Sequence, residues 1–116
     1  MHELSLCHSL LTQVEGLIVE NNADKATRVV VRLGPLSGVE PALLRRAYPL
    51  AVAGSAAEGS LLEIETLPVR VRCGACDRES EVPPNRLLCP ACGDFKTSLM
   101  SGDEMILATV DLEVDD

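Results

Sequence analysis

Four cysteines fall into two pairs whose spacing suits a metal ion. Cys73 and Cys76 form one C-x-x-C pair, and Cys89 and Cys92 form a second after twelve intervening residues. Each pair can form a tight knuckle that presents two thiolates, so together they offer the four sulfur ligands of a closed tetrahedral zinc site. Four sulfurs leave no open position for water, so this zinc is expected to be structural and not catalytic. An iron–sulfur cluster and a redox dithiol remain alternatives.

A segment of about 30 residues around these cysteines cannot bury enough apolar area to fold unaided. Metal binding must therefore supply most of its folding free energy, on the order of 10 kcal/mol or more.

A second candidate metal site lies at Met1-His2-Glu3. Because His2 is bulky, removal of an initiator Met is not expected, and the amine of Met1 would stay free. That amine, the peptide nitrogens, the imidazole of His2 and the carboxylate of Glu3 form a nitrogen-rich set. Such sets suit Ni(II) or Cu(II) in square-planar or tetragonal geometry. The triplet alone is a weak signal, since any chain that begins in this way has the same atoms.

Composition limits the classes of function that the chain can have. The 116 residues carry a net charge of −8, which argues against nucleic acid as a partner. The cysteine segment, residues 69–98, has five basic and four acidic residues, and a four-thiolate zinc centre would make it net negative. With Phe95 as its one aromatic residue, it offers no platform for stacking bases. No stretch approaches the roughly 18 apolar residues of a membrane span, and nothing resembles a signal peptide. We expect a cytoplasmic protein that does not bind membranes.

Apolar periodicity predicts a helix from about Glu3 to Asn21, whose buried stripe is Leu4, Cys7, Leu10, Leu11, Val14, Leu17 and Ile18. Within that stripe Cys7 is interpreted as a small buried hydrophobe. His2 and His8 lie about 240° apart around the helix, so they should not share a metal ion.

Alternation predicts a strand over residues 27–33, with Val29, Val31 and Leu33 inside and Val30 outside. A second helix should begin at Pro41, with Leu43, Leu44, Ala47 and Ala51 buried. Pro49 should kink or end that helix. Two more strands follow. Leu62 and Ile64 should face inward in one, and Ile106, Ala108, Val110 and Leu112 in the other.

No catalytic constellation emerges, and we predict that the protein is not an enzyme. Gly34 and Gly38 lack the Lys and the spacing of a phosphate-binding loop. Ser5, His8 and Ser9 are neighbours on a helix with no orienting acid at hand.

Several stretches together resemble the HypA/HybF family of hydrogenase maturation nickel chaperones. The matching residues are Met1-His2-Glu3-Leu4-Ser5, the segment Arg32 to Val39, both cysteine pairs, and Ser101-Gly102 before the last strand. The resemblance covers essentially the whole chain, in order. It implies an α+β fold in which two helices pack on a three-stranded sheet, with an inserted zinc-ribbon module. Pro49 departs from the family pattern, where a helix-compatible residue is usual.

The resemblance also implies function and sites. Residues 1–68 and 102–116 would form a nickel-binding domain, and residues 69–101 a four-cysteine zinc-binding domain. Nickel would be bound by Met1, His2 and Glu3, with Glu40 as a candidate accessory ligand, and zinc by Cys73, Cys76, Cys89 and Cys92. The cargo Ni(II) would pass to the large subunit of a nickel–iron hydrogenase with the help of the GTPase HypB. Two rivals stay open: a zinc-ribbon adaptor that binds only protein, and a nucleic-acid-binding ribbon.

Overall fold

The computed structural model of the chain describes residues 2–114. Its elements in chain order are α1 (His2–Glu20), β1 (Lys25–Leu33), α2 (Pro41–Val52), β2 (Leu61–Thr66), β3 (Arg70–Cys73), β4 (Glu79–Glu81), β5 (Thr97–Ser101) and β6 (Met105–Glu113). The strands form two three-stranded sheets, ordered β2-β1-β6 and β4-β3-β5. The predicted α+β class, with two helices, a three-stranded sheet and an inserted four-cysteine module, is confirmed.

The predicted first helix is confirmed as α1. Its fully buried residues Cys7, Leu10, Val14 and Ile18 recur every three or four positions, as one face of a helix requires. The helix ends where predicted, because Asn22 adopts a left-handed conformation with φ +50°. Asparagine tolerates this conformation better than most residues do. The amides of Asn21 and Ala23 then bond to the last carbonyls of α1, those of Leu17 and Ile18.

The second helix begins at Pro41 as predicted, but it buries a different face. Leu44, Tyr48, Ala51 and Val52 are buried, whereas Leu43 is 44% exposed, so its predicted place in the core is wrong. The physical reason is that α2 carries two apolar stripes, and periodicity cannot tell which one faces the core. Tyr48 was missed for the same reason. It lies in the core with its hydroxyl 2.7 Å from Ser60 Oγ.

Pro49 lies inside α2 and does not end it, since the helix continues to Val52. Proline has no amide proton, so the carbonyl of Arg45 loses its helical hydrogen bond. Both residues are on the exposed side of the helix, where water can bond to that carbonyl instead.

In the first sheet β1 lies between β2 and β6, and two of its predicted faces need correction. Val30 is only 3% exposed although alternation placed it outside. It lies in the middle of β1, the central strand, where a short side chain has a paired strand on each side. In β6, Ile106 and Ala108 are exposed, and the half-buried residues are Met105, Leu107, Val110 and Leu112. The run from Met105 to Ala108 is apolar on both faces, so alternation does not define its register.

The outer face of this sheet carries a cross-strand ion cluster. Arg28 of β1 donates to both carboxylate oxygens of Glu63 on β2, at 2.9 and 2.7 Å, and to Asp111 on β6 at 3.3 Å. The two bonds from Arg28 to Glu63 lower the pKa of the Glu63 carboxyl. One guanidinium therefore ties together all three strands on an exposed surface.

By its contacts the chain divides into two compact units. One contains residues 1–31, 39–65 and 106–116, and the other contains residues 32–38 and 66–105. The second unit therefore includes the turn after β1, which is distant in sequence from the cysteines. The predicted domain boundaries and domain roles stay a prediction. No helix within residues 2–114 is long and apolar enough to cross a membrane.

Candidate metal centres

The first cysteine pair lies in a knuckle at the end of β3. Cys73 is the last residue of this strand, and its backbone amide bonds to the carbonyl of Arg78 as the chain turns back. The amide of Asp77 bonds to the carbonyl of Cys73, and Asp77 has φ +62°. Within the turn the amides of Ala75 and Cys76 both lie 3.4 Å from Cys73 Sγ. The backbone thus holds this sulfur at the centre of the turn.

The second pair repeats the same turn without a strand before it. The amide of Cys89 bonds to the carbonyl of Asp94, and the amide of Gly93 bonds to the carbonyl of Cys89. Gly93 takes the left-handed place that Asp77 has in the first knuckle, with φ +76°. Amides of Ala91 and Cys92 donate to Cys89 Sγ. The two knuckles therefore have the same local backbone geometry and present their sulfurs in the same way.

All four sulfurs converge on one point, as the spacing predicted. The Sγ atoms of Cys73, Cys76, Cys89 and Cys92 lie within 4.8 Å of one another, and the 73–92 and 76–89 pairs are each 3.6 Å apart. A tetrahedral ion with metal–sulfur bonds of about 2.3 Å requires sulfurs about 3.8 Å apart. The four thiols therefore fit one zinc-sized ion. A multi-iron cluster fits less well, because its four cysteines are divided among two or four irons, which would spread the sulfurs apart.

The knuckle backbone also prepares the first sulfur of each pair for metal binding. The amides of Cys76 and Ala75 lower the pKa of the Cys73 thiol, and the amides of Cys92 and Ala91 lower that of Cys89 to about 6. A depressed thiol pKa means a larger fraction of thiolate, which is the form that binds metal. All five cysteines of the chain are free of disulfide bonds, as a metal site requires.

Cys7 is separate from this cluster and fully buried in α1. Its Sγ lies 3.6 Å from the carbonyl of Leu44 on α2, and burial, together with the charge of Glu3, raises its pKa. A neutral buried thiol is an inert packing group. Its interpretation as a small hydrophobe is confirmed.

The residues predicted to bind nickel are described only in part. Met1 lies outside the described residues. His2 is the exposed first residue of α1, Glu3 is half-buried beside it, and Glu40 is the exposed residue that precedes α2. Within residues 2–114 the four cysteines are the one group of three or more His, Cys, Asp or Glu side chains close enough to share an ion. His2, Glu3 and Glu40 are therefore not assembled into a second such group there.

Some supporting residues had no clear sequence signal. Gly74 contacts the residue that precedes β5: its amide donates to the carbonyl of Lys96 at 2.7 Å, and a Cβ at Gly74 would lie 3.0 Å from that oxygen. Leu36 packs on Val69, Val71 and Val82, the small apolar core of the cysteine-containing unit. A glycine within C-x-x-C is a weak indication of the close contact at Gly74. Nothing in the sequence near Leu36 indicates its contact with the three valines.

Two helices, a three-stranded sheet and a four-sulfur knuckle pair define a small metal-binding protein. Residues 1–112 match the model of the family described as hydrogenase/urease nickel incorporation, metallochaperone, HypA. The chain belongs to the HypA family of nickel metallochaperones that act in hydrogenase maturation.

Individual relatives are similar to this protein along nearly the whole chain. It is 49% identical to the hydrogenase maturation factor HypA of Nitrosospira multiformis over 112 residues, which are 97% of each chain. It is 44% identical to that of Aquifex aeolicus, covering 99% of this chain and 100% of the relative. The fold resembles the solution structure of the Ni metallochaperone HypA from Helicobacter pylori, with a TM-score of 0.74 at 24% identity and coverage of 97% and 98%. A second solution structure of a HypA protein gives a TM-score of 0.77 at 26% identity, covering 99% of this chain and 98% of that one.

Proposed function

We propose that the chain takes up Ni(II) at its N-terminus and delivers it, in the cytoplasm, to the large subunit of a nickel–iron hydrogenase, with HypB as helper. The observation that carries the proposal is the match of residues 1–112 to a nickel-incorporation family. The nickel ligands are the amine of Met1, the imidazole of His2 and the carboxylate of Glu3.

The start of α1 supports this assignment. His2 is exposed, so its imidazole can meet an incoming ion without any opening of the core. The first amides of a helix have no intrahelical partner, and terminal turns fray at low free-energy cost. The positive end of the helix dipole opposes a bound cation. A site built there can therefore close on nickel and open again while the rest of α1 stays folded.

Glu40 has a more limited part in the proposal. Its side chain makes no capping hydrogen bond to α2, so the carboxylate is not engaged by the helix that it precedes. Because His2, Glu3 and Glu40 are not assembled in the described residues, Glu40 would join the nickel only after a rearrangement.

The second ion of the proposal is a structural Zn(II) on Cys73, Cys76, Cys89 and Cys92. The support is the sulfur spacing of 3.6 Å, which fits a single tetrahedral ion. When bound, zinc supplies a closed cross-link between the two knuckles and no reactive position. Two metals then have two purposes: one maintains the fold, and the other is cargo.

Nickel titration of zinc-loaded, untagged protein with elemental analysis tests the proposal. We expect about one nickel and one zinc per chain. His2→Ala should abolish nickel binding and leave the zinc content unchanged. His8→Ala is the matched control, because His8 is equally an exposed imidazole on α1.

An N-terminal peptide extension should also block nickel, since it converts the amine of Met1 into an amide. Full nickel affinity in both His2→Ala and the extended chain would refute the N-terminal site. If the wild-type chain held one zinc and no nickel, the zinc-ribbon adaptor would be the better description.

A further inference from the structure

The two cysteine knuckles share one backbone turn but differ in the structure that supports them. The first knuckle, residues 73–78, connects β3 to β4, so paired strands hold both of its ends. Of these two strands, β3 is the central strand of the sheet and is also paired with β5. The second knuckle, residues 89–94, lies within residues 82–96, which consist of turns and irregular chain. Local opening requires least free energy where a segment has few ladder hydrogen bonds, so the second knuckle should open more easily.

An ion pair gives the first knuckle an additional support. Arg72 Nε and Nη2 donate to the two carboxylate oxygens of Asp77, at 2.9 and 3.2 Å. The backbone of Arg72 is fixed in β3, where it has a paired residue on each side. Asp77 is the left-handed residue of the turn, and the amide of the next residue, Arg78, donates to Cys76 Sγ. The guanidinium of Arg72 therefore holds the part of the turn that positions the sulfur of Cys76.

The second knuckle is held differently at the equivalent position. Gly93 is its left-handed residue and has no side chain that a cation could bind. The carboxylate of the next residue, Asp94, accepts from the amide of Lys96, two positions further along the same loop. Exposed ion pairs stabilise little on average, but a bidentate pair of arginine and carboxylate is the favourable case. The bidentate pair of the first knuckle thus adds to the difference that the strands already make.

Exposure limits which sulfur can leave a bound metal ion first. Cys73 and Cys89 are only 1% and 2% exposed, whereas Cys76 and Cys92 are exposed. A competing ligand from solution therefore begins at Cys76 or at Cys92.

We propose that Arg72 and Asp77 are positioning residues that hold Cys76 in place, so that the four-sulfur site opens and closes at Cys92. The first knuckle then remains as a preformed half of the site, and the second knuckle moves. This inference rests on the structural zinc site of the proposed function and is independent of the nickel site.

Alkylation of the zinc-loaded full chain with iodoacetamide, followed by peptide mass spectrometry, measures the order in which the sulfurs become free. The rate at each cysteine is divided by its rate in the unfolded, metal-free chain, which corrects for intrinsic reactivity. We expect Cys92 to react at least about fivefold faster than Cys76, the factor that corresponds to the upper end for an exposed ion pair. Elemental analysis of the same samples gives the zinc content.

Two variants remove the ion pair in different ways. Arg72→Gln removes the guanidinium, and Asp77→Gly removes the carboxylate while it keeps a residue that suits the left-handed turn. Each should speed the reaction of Cys76 about threefold to fivefold and leave that of Cys92 unchanged. The variants change the local charge in opposite directions, so a shared increase at Cys76 reports opening of the knuckle and not a change in electrostatics.

Arg72→Lys and Lys25→Gln complete the set. Lysine keeps the charge at position 72 and should restore part of the protection of Cys76, but not all, because it cannot form the bidentate pair. Lys25→Gln is the matched control, since it removes an exposed ion pair, that with Glu113, outside the cysteine-containing unit. It should change the rate at neither cysteine.

Two results with about one zinc per chain would overturn this inference alone. The first is a wild-type chain in which Cys76 reacts as fast as Cys92 or faster. The second is an unchanged rate at Cys76 in both Arg72→Gln and Asp77→Gly. A wild-type chain that holds no zinc would instead refute the structural zinc site, and this inference with it.

Discussion

At the scale of single residues, the chain uses the cysteine thiol in two ways. Cys76 is exposed and its sulfur lies 3.6 Å from that of Cys89, whereas Cys7 is fully buried among apolar side chains. A thiol in a four-sulfur cluster contributes through the metal that it binds. A buried lone thiol contributes through its contacts.

The substitutions Cys76→Ser and Cys7→Ala should separate these two roles. Cys76→Ser leaves three thiolates and a hard, neutral hydroxyl, so we expect rapid zinc loss to a chelator and loss of structure around the knuckles. Cys7→Ala should retain about one zinc per chain and lower the free energy of unfolding by about 1–2 kcal/mol, an ordinary cost for a small core deletion. Elemental analysis and thermal unfolding measure both. Zinc loss in Cys7→Ala, or normal zinc retention in Cys76→Ser, would contradict the division of roles.

At the scale of helices and strands, the sequence correctly predicts which side chains are buried when one face of the element is polar. The first helix has one apolar stripe, and its burial followed the pattern from Cys7 to Ile18. The C-x-x-C spacing is a local property, so convergence of the four sulfurs could also be predicted. The second helix has two apolar stripes, and periodicity alone predicts Leu43 in the core, where the structure has Tyr48. The run Met105 to Ala108 has no polar face at all, so its orientation depends on the tertiary structure.

Substitution of Pro49 tests how much stability α2 loses because it contains a proline. A proline costs about 3 kcal/mol in a helix interior but recovers about 0.4–1 kcal/mol by restricting the unfolded chain. Because only one turn follows Pro49, we expect Pro49→Ala to raise the free energy of unfolding by about 1–2 kcal/mol.

Chemical denaturation measures this change in stability. Pro41→Ala, at the first position of α2, is the matched control that should be nearly neutral, since proline is tolerated there. A less stable Pro49→Ala chain would mean that the proline fixes a bend which the packing of α2 requires.

At the scale of the whole molecule, the cysteine-containing unit is assembled from two distant parts of the chain. Residues 32–38 belong to it although they precede the first knuckle by more than thirty positions. The amide of Gly34 donates to the carbonyl of Glu104, and the amide of Leu36 to that of Gly102. Leu36 then completes the valine core of the unit. The unit is therefore not one continuous insertion, because residues 32–38 form part of its backbone hydrogen bonding and its core.

The close backbone contact between Gly34 and Gly102 makes it possible to test whether the cysteine-containing unit depends on residues 32–38. A Cβ on Gly34 would lie 2.0 Å from the carbonyl oxygen of Gly102, and neither backbone can yield without breaking the hydrogen bonds around them. We expect Gly34→Ala to cost more than about 2 kcal/mol of stability and to speed zinc release to a chelator, although Gly34 is not a ligand. Gly16→Ala is the matched control: its Cβ meets nothing within 4 Å, so alanine in α1 should stabilise by about 1 kcal/mol and leave zinc release unchanged. Equal zinc release in both variants would show that the knuckles do not depend on the turn after β1.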